Sequence, residues 1–163
     1  LFLPIFHATE QYAKHPYSEK EYKMAYRVIA DHIRTVTFAI ADGAMFSNEG
    51  RGYVLRRVLR RAVRYGIKLG IDGAFMYKLV KVVADNMIAY YPYVQEKVAL
   101  IEKLVKQEEE SFHKTLANGE ALLQDALAEH ADTKILPGEV MFKLYDTYGY
   151  PKDCRGRGLS CRF

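Results

Sequence analysis

The chain has 163 residues, the length of one ordinary domain or of a piece cut from something larger. Half of it is apolar and 27% is charged, which excludes a disordered tail, and no apolar run approaches the roughly 18 residues of a membrane span. The net charge of +4 is uneven: residues 1–50 carry −1, 51–100 carry +7, 101–150 carry −5 and the last thirteen carry +3, so a polyanion-binding surface is expected on the second block.

The opening LFLPIFHATEQ has no basic stretch and no small-residue cleavage site, so no signal peptide is expected. A short strand is expected within these first ten residues. The remaining elements read as helices. The first is expected from about Ser18, a candidate cap, to Ala41, with Ala25, Val28, Ile29, His32, Ile33 and Val36 on its buried face. Asp42-Gly43 ends it, and Met45–Gly50 reads as a loop before a second helix that runs to about Leu69. A third is expected over Phe75–Tyr90, between Gly73 and Pro92. The longest runs from about Val94 to His130, with a bend or break near Asn118-Gly119. A short helix over Glu139–Thr147 follows the Leu136-Pro137-Gly138 loop. The fold class is mainly α, a helical bundle-like domain.

Residues 51–64, RGYVLRRVLRRAVR, are the most informative. With Leu55 at zero and about 100° per residue, Val58, Leu59 and Ala62 fall within about 60° of it, with Val54 and Val63 at the edges. Arg57, Arg60, Arg61 and Arg64 fall on the opposite side. Five arginines and no lysines between positions 56 and 64 favour phosphate, which a planar guanidinium binds bidentately. The competing reading pairs these arginines with acids elsewhere in the protein, above all the Glu108–Glu110 run. Asp31, His32 and Arg34 share one turn, but His32 lies on the apolar stripe and reads as a satisfied core histidine, with Asp31–Arg34 an ordinary i, i+3 pair. His7, His15, His113 and His130 show no metal spacing. Tyr53, beside the basic helix, is a candidate RNA contact.

Four segments then carry a resemblance. Arg27–Thr35 (RVIADHIRT), Ser47–Arg57 (SNEGRGYVLRR), Arg60–Gly66 (RRAVRYG) and Phe142–Pro151 (FKLYDTYGYP) resemble, in order and spacing, alanyl-tRNA synthetase of the bacterial type. The resemblance covers residues 1 to about 153. It implies that residues 1–17 are the end of a class II catalytic domain and that 18–153 are the helical domain holding the tRNA acceptor stem. The three catalytic motifs would lie upstream and the editing and C-terminal domains downstream, so a fragment is expected. It would bind tRNA(Ala) and be inactive alone; the parent ligase would use ATP and Mg²⁺. A stand-alone RNA-binding module is the alternative.

The family recognises a G·U wobble pair, whose unpaired guanine 2-amino group faces the wide minor groove of an RNA duplex. That donor calls for an acceptor, and a carboxylate is the strongest available. By resemblance the base-reading residues are Asn48 and Asp146, while Arg51, Arg57, Arg60, Arg61 and Arg64 hold phosphates and set register. Taken without the resemblance, Asn48 also fits a turn or cap, and Asp146 an acceptor for backbone donors near Gly149. No catalytic residue and no metal site is expected.

After Asp153 the chain departs abruptly, as Cys-Arg-Gly-Arg-Gly-Leu-Ser-Cys-Arg-Phe. A shift of reading frame or an artificial end accounts for this better than divergence, so 154–163 is expected to be a non-native tail, disordered or irregular. Its two cysteines cannot staple the body of the domain, and the compartment reads as reducing and cytoplasmic.

Overall fold

A computed structural model describes residues 1–129, 135–148 and 160–161, the backbone alone for 135–136 and 160–161. It is mainly helical. The elements are α1 (Leu3–Glu10), α2 (Lys23–Ala41), α3 (Gly50–Lys68), α4 (Met76–Met87), α5 (Pro92–Glu96), α6 (Val98–Glu129), β1 (Ile135–Leu136), α7 (Gly138–Asp146) and β2 (Ser160–Cys161). The chain divides into two compact units, Leu1–Glu110 and Ser111–Phe163.

In the first unit, α2 packs against α3 and α4, and α1 lies on α4 and α2. Ala25, Ile29, Ile33, Val36 and Ile40 of α2 are buried, one helical face at spacings of three and four. Each fully buried isoleucine contributes about 1.5–3 kcal/mol by leaving water. Val28 and His32, expected on that face, are only half-buried; Tyr26 and Ala30 are fully buried in their stead. The buried stripe is therefore rotated toward the aromatic cluster below.

The strand expected in the first ten residues is a helix. Pro4 sits in the first turn of α1, where its missing N–H removes no hydrogen bond. Ile5, Phe6 and Thr9 then fall on one buried face, which is helical rather than alternating spacing. Phe6 stacks on Tyr17 at 4.5 Å between centroids, and both meet Tyr26 edge-on, at 6.3 and 5.5 Å. The Tyr26 hydroxyl donates to the His15 carbonyl at 2.6 Å. Burial, with the negative charges of Glu10 and Glu19 nearby, pushes its phenol up to about 12.

This cluster also explains why α2 starts at Lys23 and not at Ser18. Residues 16–22 form turns that seat Tyr17 against Phe6 and Tyr22 against His15, and Ser18 caps nothing; the residue flanking α2 is Tyr22, without a side-chain cap. Pro92 opens a separate short helix, α5.

The break expected near Asn118-Gly119 does not occur, since both residues lie inside α6. A single glycine costs a helix about 1 kcal/mol against alanine, and the good helix formers around it, Glu120-Ala121-Leu122-Leu123, carry the helix through. In the second unit, Leu123 and Ala126 of α6 pack with Met141 and Leu144 of α7, with Leu122, Leu127, Val140 and Tyr148 around them. Most of the 154–163 tail, and His130, lie outside the described residues. Ser160–Cys161 are described and form a two-residue parallel pair with Ile135–Leu136.

Candidate nucleic-acid interface

The loop carrying Asn48 is shaped by glycine. Gly50 has φ +57°, a left-handed conformation, and Glu49 before it is extended and flanks α3 without a side-chain cap. A Cβ at Gly52 would lie 2.3 Å from both the Met45 carbonyl oxygen and Ser47 Oγ, so the loop folds back over the first turn of α3 only because residue 52 has none. Ser47 Oγ donates to the Glu49 carbonyl at 2.6 Å. Asn48 is left exposed and does not cap the helix; its Oδ1 accepts from Arg56 Nη1, one turn into α3 and beyond.

The arginines of α3 divide into two groups. Val63 is fully buried while Val54 is 59% exposed, so the buried face is turned from Leu55 toward Val63. At about 100° per residue, Arg56 and Arg60 lie about 100° and 140° round from Leu55, on that same flank. Both reach Glu108 of α6: Arg56 Nε lies 3.0 Å and Arg60 Nη2 2.9 Å from its Oε1. Arg60 Nε also donates to that oxygen at 3.0 Å. Arg60, one of the expected phosphate residues, and Arg56, which the sequence did not single out, thus share one internal acid. Arg64 is half-buried.

Arg57 and Arg61 point the other way and are exposed, as is Arg51 at the start of the helix. Among the described residues none of the three forms an ion pair. The Arg57 guanidinium lies over the exposed ring of Tyr53, 5.8 Å from its centroid. The result is a cationic helix face with an aromatic ring beside it, which suits phosphate contact and stacking.

The Glu108–Glu110 run diverges because successive helical residues point about 100° apart. Glu108 takes the two arginines, and Glu110 lies 3.9 Å from Lys106. Fully buried Glu109 accepts from the backbone N–H groups of Phe75 (2.8 Å) and Met76 (3.1 Å to its nearer oxygen), at the start of α4. It supplies the cap that Phe75, at the N-cap position, cannot. Burial pushes its carboxyl up to about 7, against the lowering effect of the Phe75, Met76 and Tyr77 backbone donors.

Asp146 is the exposed last residue of α7 and belongs to the second unit, whereas Asn48 belongs to the first. Gly149, the expected source of competing backbone donors, lies outside the described residues. His32 is 15% exposed and is satisfied by Asp31 Oδ2 at 2.9 Å. The expected Asp31–Arg34 pair is replaced by that contact, and Arg34 lies over the Phe2 ring at 5.6 Å. Among the described residues no three His, Cys, Asp or Glu side chains converge to hold a metal ion. Arg56 could have been found from sequence: it stands eight positions after Asn48 and on the flank of the apolar stripe.

A family model described as tRNA synthetases class II (A) matches residues 1–157. The chain is 55% identical over 156 residues to the alanine–tRNA ligase of Halalkalibacterium halodurans, covering 94% of this chain and 18% of that protein. It is 56% identical over 154 residues to the alanine–tRNA ligase of Geobacillus kaustophilus, covering 93% and 17%. For that of Staphylococcus saprophyticus the figures are 54% over 153 residues, 93% and 18%. The chain therefore spans less than a fifth of the length of these curated relatives.

Proposed function

The chain belongs to the class II (A) tRNA synthetases, and from that membership we propose that it is part of an alanine–tRNA ligase and there holds the acceptor stem of tRNA(Ala), reading its G·U wobble pair. The observation that carries this reading is the exposed face of α3, where Arg51, Arg57 and Arg61 stand without ion-pair partners among the described residues, with Asn48 on the loop that leads into the same helix. A helix face of this kind fits the wide, shallow minor groove of an RNA duplex and its flanking phosphates. Arg51, Arg57 and Arg61 hold phosphates and set register; they supply affinity and not sequence. Asn48 and Asp146 each read a base edge, Asp146 accepting from the guanine 2-amino group. The exposure of both side chains supports these roles.

The parent enzyme activates alanine with ATP and Mg²⁺ and esterifies the tRNA end. The described residues offer no converging ligand set for the metal, and no step of that chemistry is assigned to them. No described helix is long and apolar enough to cross a membrane. A second reading, arginines in a purely structural role, is favoured by one observation and for two residues only: Arg56 and Arg60 pair with Glu108.

Binding of the 163-residue chain to an acceptor-stem hairpin across a salt series tests the proposal. Three phosphate contacts give a slope of about −2 to −3 in log K against log salt, and Arg57→Ala makes it shallower by about 1. Asp146→Ala abolishes preference for a G·U over a G·C hairpin. Negligible binding even at low salt would leave the structural reading standing.

A further inference from the structure

Arginine carries five N–H donors and no acceptor, so the Asn48 atom that faces Arg56 is the amide oxygen. Turning the amide over would set its NH₂ group against a cation. Arg56 is itself ion-paired: its side chain is 21% exposed, and its Nε lies 3.0 Å from Oε1 of Glu108, which is 9% exposed, a charge contact and not a hydrogen bond. The same oxygen holds Arg60. One guanidinium therefore links a surface amide on the loop before α3 to a buried carboxylate on α6.

We infer that Arg56 is a positioning residue for RNA recognition: anchored by Glu108, it fixes the Asn48 amide with its oxygen inward and its two Nδ2 hydrogens toward the RNA. Asn48 then acts as a donor. Its partner on the minor-groove edge is an acceptor, a pyrimidine O2 or a purine N3, and the guanine amino group is left to a carboxylate. The identity of the RNA rests on the acceptor-stem reading; the orientation of the amide does not.

Two measurements on the 163-residue chain separate these. In the RNA-free chain, the side-chain amide resonances of Asn48 shift on Arg56→Gln and stay in place on Arg57→Gln. With hairpins carrying G·U or G·C, Arg57→Gln weakens binding to both alike, whereas Arg56→Gln lowers the preference for G·U about tenfold, the effect of one misplaced hydrogen bond. Asn48→Asp, which keeps an acceptor for Arg56 but has no donor for RNA, loses the preference too. Circular dichroism on each sample reports folding. Should Arg56→Gln unfold, Arg56→Lys keeps the charge while its single ammonium cannot bridge Asn48 and Glu108, and it gives the same loss. Unmoved Asn48 resonances, or an Arg56 variant that behaves as Arg57→Gln does, would overturn the inference. A wild-type chain with no G·U preference would instead sink the acceptor-stem reading, with the amide resonances still deciding the orientation.

Discussion

Glu109 is placed where two demands on a carboxyl conflict. Its backbone partners at the start of α4 favour the ionised form, and its complete burial favours the neutral one. Burial prevails, and the carboxyl is raised from 4.5 to about 7. A group that is harder to ionise in the folded state binds more protons there than in the unfolded chain. Its stabilisation is therefore full below about pH 4.5 and is lost as the pH rises through about 7, a loss on the order of 3 kcal/mol at about 1.4 kcal/mol per unit. Glu109→Gln removes the titration while keeping an oxygen for the α4 donors. Urea unfolding at pH 5 and pH 7.5 is expected to show that decline in the wild type and a much flatter dependence in the variant. Equal slopes would mean that Glu109 titrates normally.

At the scale of the element, α3 is a packing surface on one side and the proposed binding surface on the other, and its glycines set the packing. A Cβ on buried Gly66 would lie 2.3 and 2.5 Å from two ring carbons of Phe75. Gly→Ala within a helix gains about 0.5–1 kcal/mol from propensity, but overpacking a filled core costs about 1–3 kcal/mol. The clash decides the sign, because Phe75 is 2% exposed and has nowhere to go. Gly66→Ala is expected to destabilise by about 1–2 kcal/mol in urea titration. Adding Phe75→Leu should return part of that, a coupling absent if the ring moves freely. The same helix shows what periodicity can and cannot tell. Its length and apolar stripe were legible because a 3.6-residue repeat records which face is buried. Which arginines stay free was not, because that depends on Glu108 of α6 approaching one flank, a contact 48 positions away in sequence. The unbroken α6 makes the complementary point, since a glycine lowers helix propensity without dictating where the chain must turn. The N-terminal strand failed for another reason: the short segment's helical spacing of Ile5, Phe6 and Thr9 emerges only once burial is known, and the aromatic knot of Phe6, Tyr17 and Tyr26 supplies that burial.

For the whole molecule, the proposed separation of binding from chemistry rests on a geometric argument. Joining an amino acid to a nucleotide requires reacting atoms held a few ångströms apart among preorganised dipoles that exclude water. The cations of α3 stand on the outer surface of a helix, which can lie along a duplex but cannot enclose a small substrate. Asn48 and Asp146, the residues proposed to read bases, are likewise exposed, Asn48 on a loop and Asp146 at a helix end. On the proposed reading, the chain is expected to bind the acceptor stem without activating an amino acid. Alanine-dependent exchange of pyrophosphate into ATP, measured on the chain that binds the hairpin, should not exceed the blank. Exchange above it, abolished by substitutions outside α3 and α7, would place a complete activation site within these 163 residues and refute the division of labour.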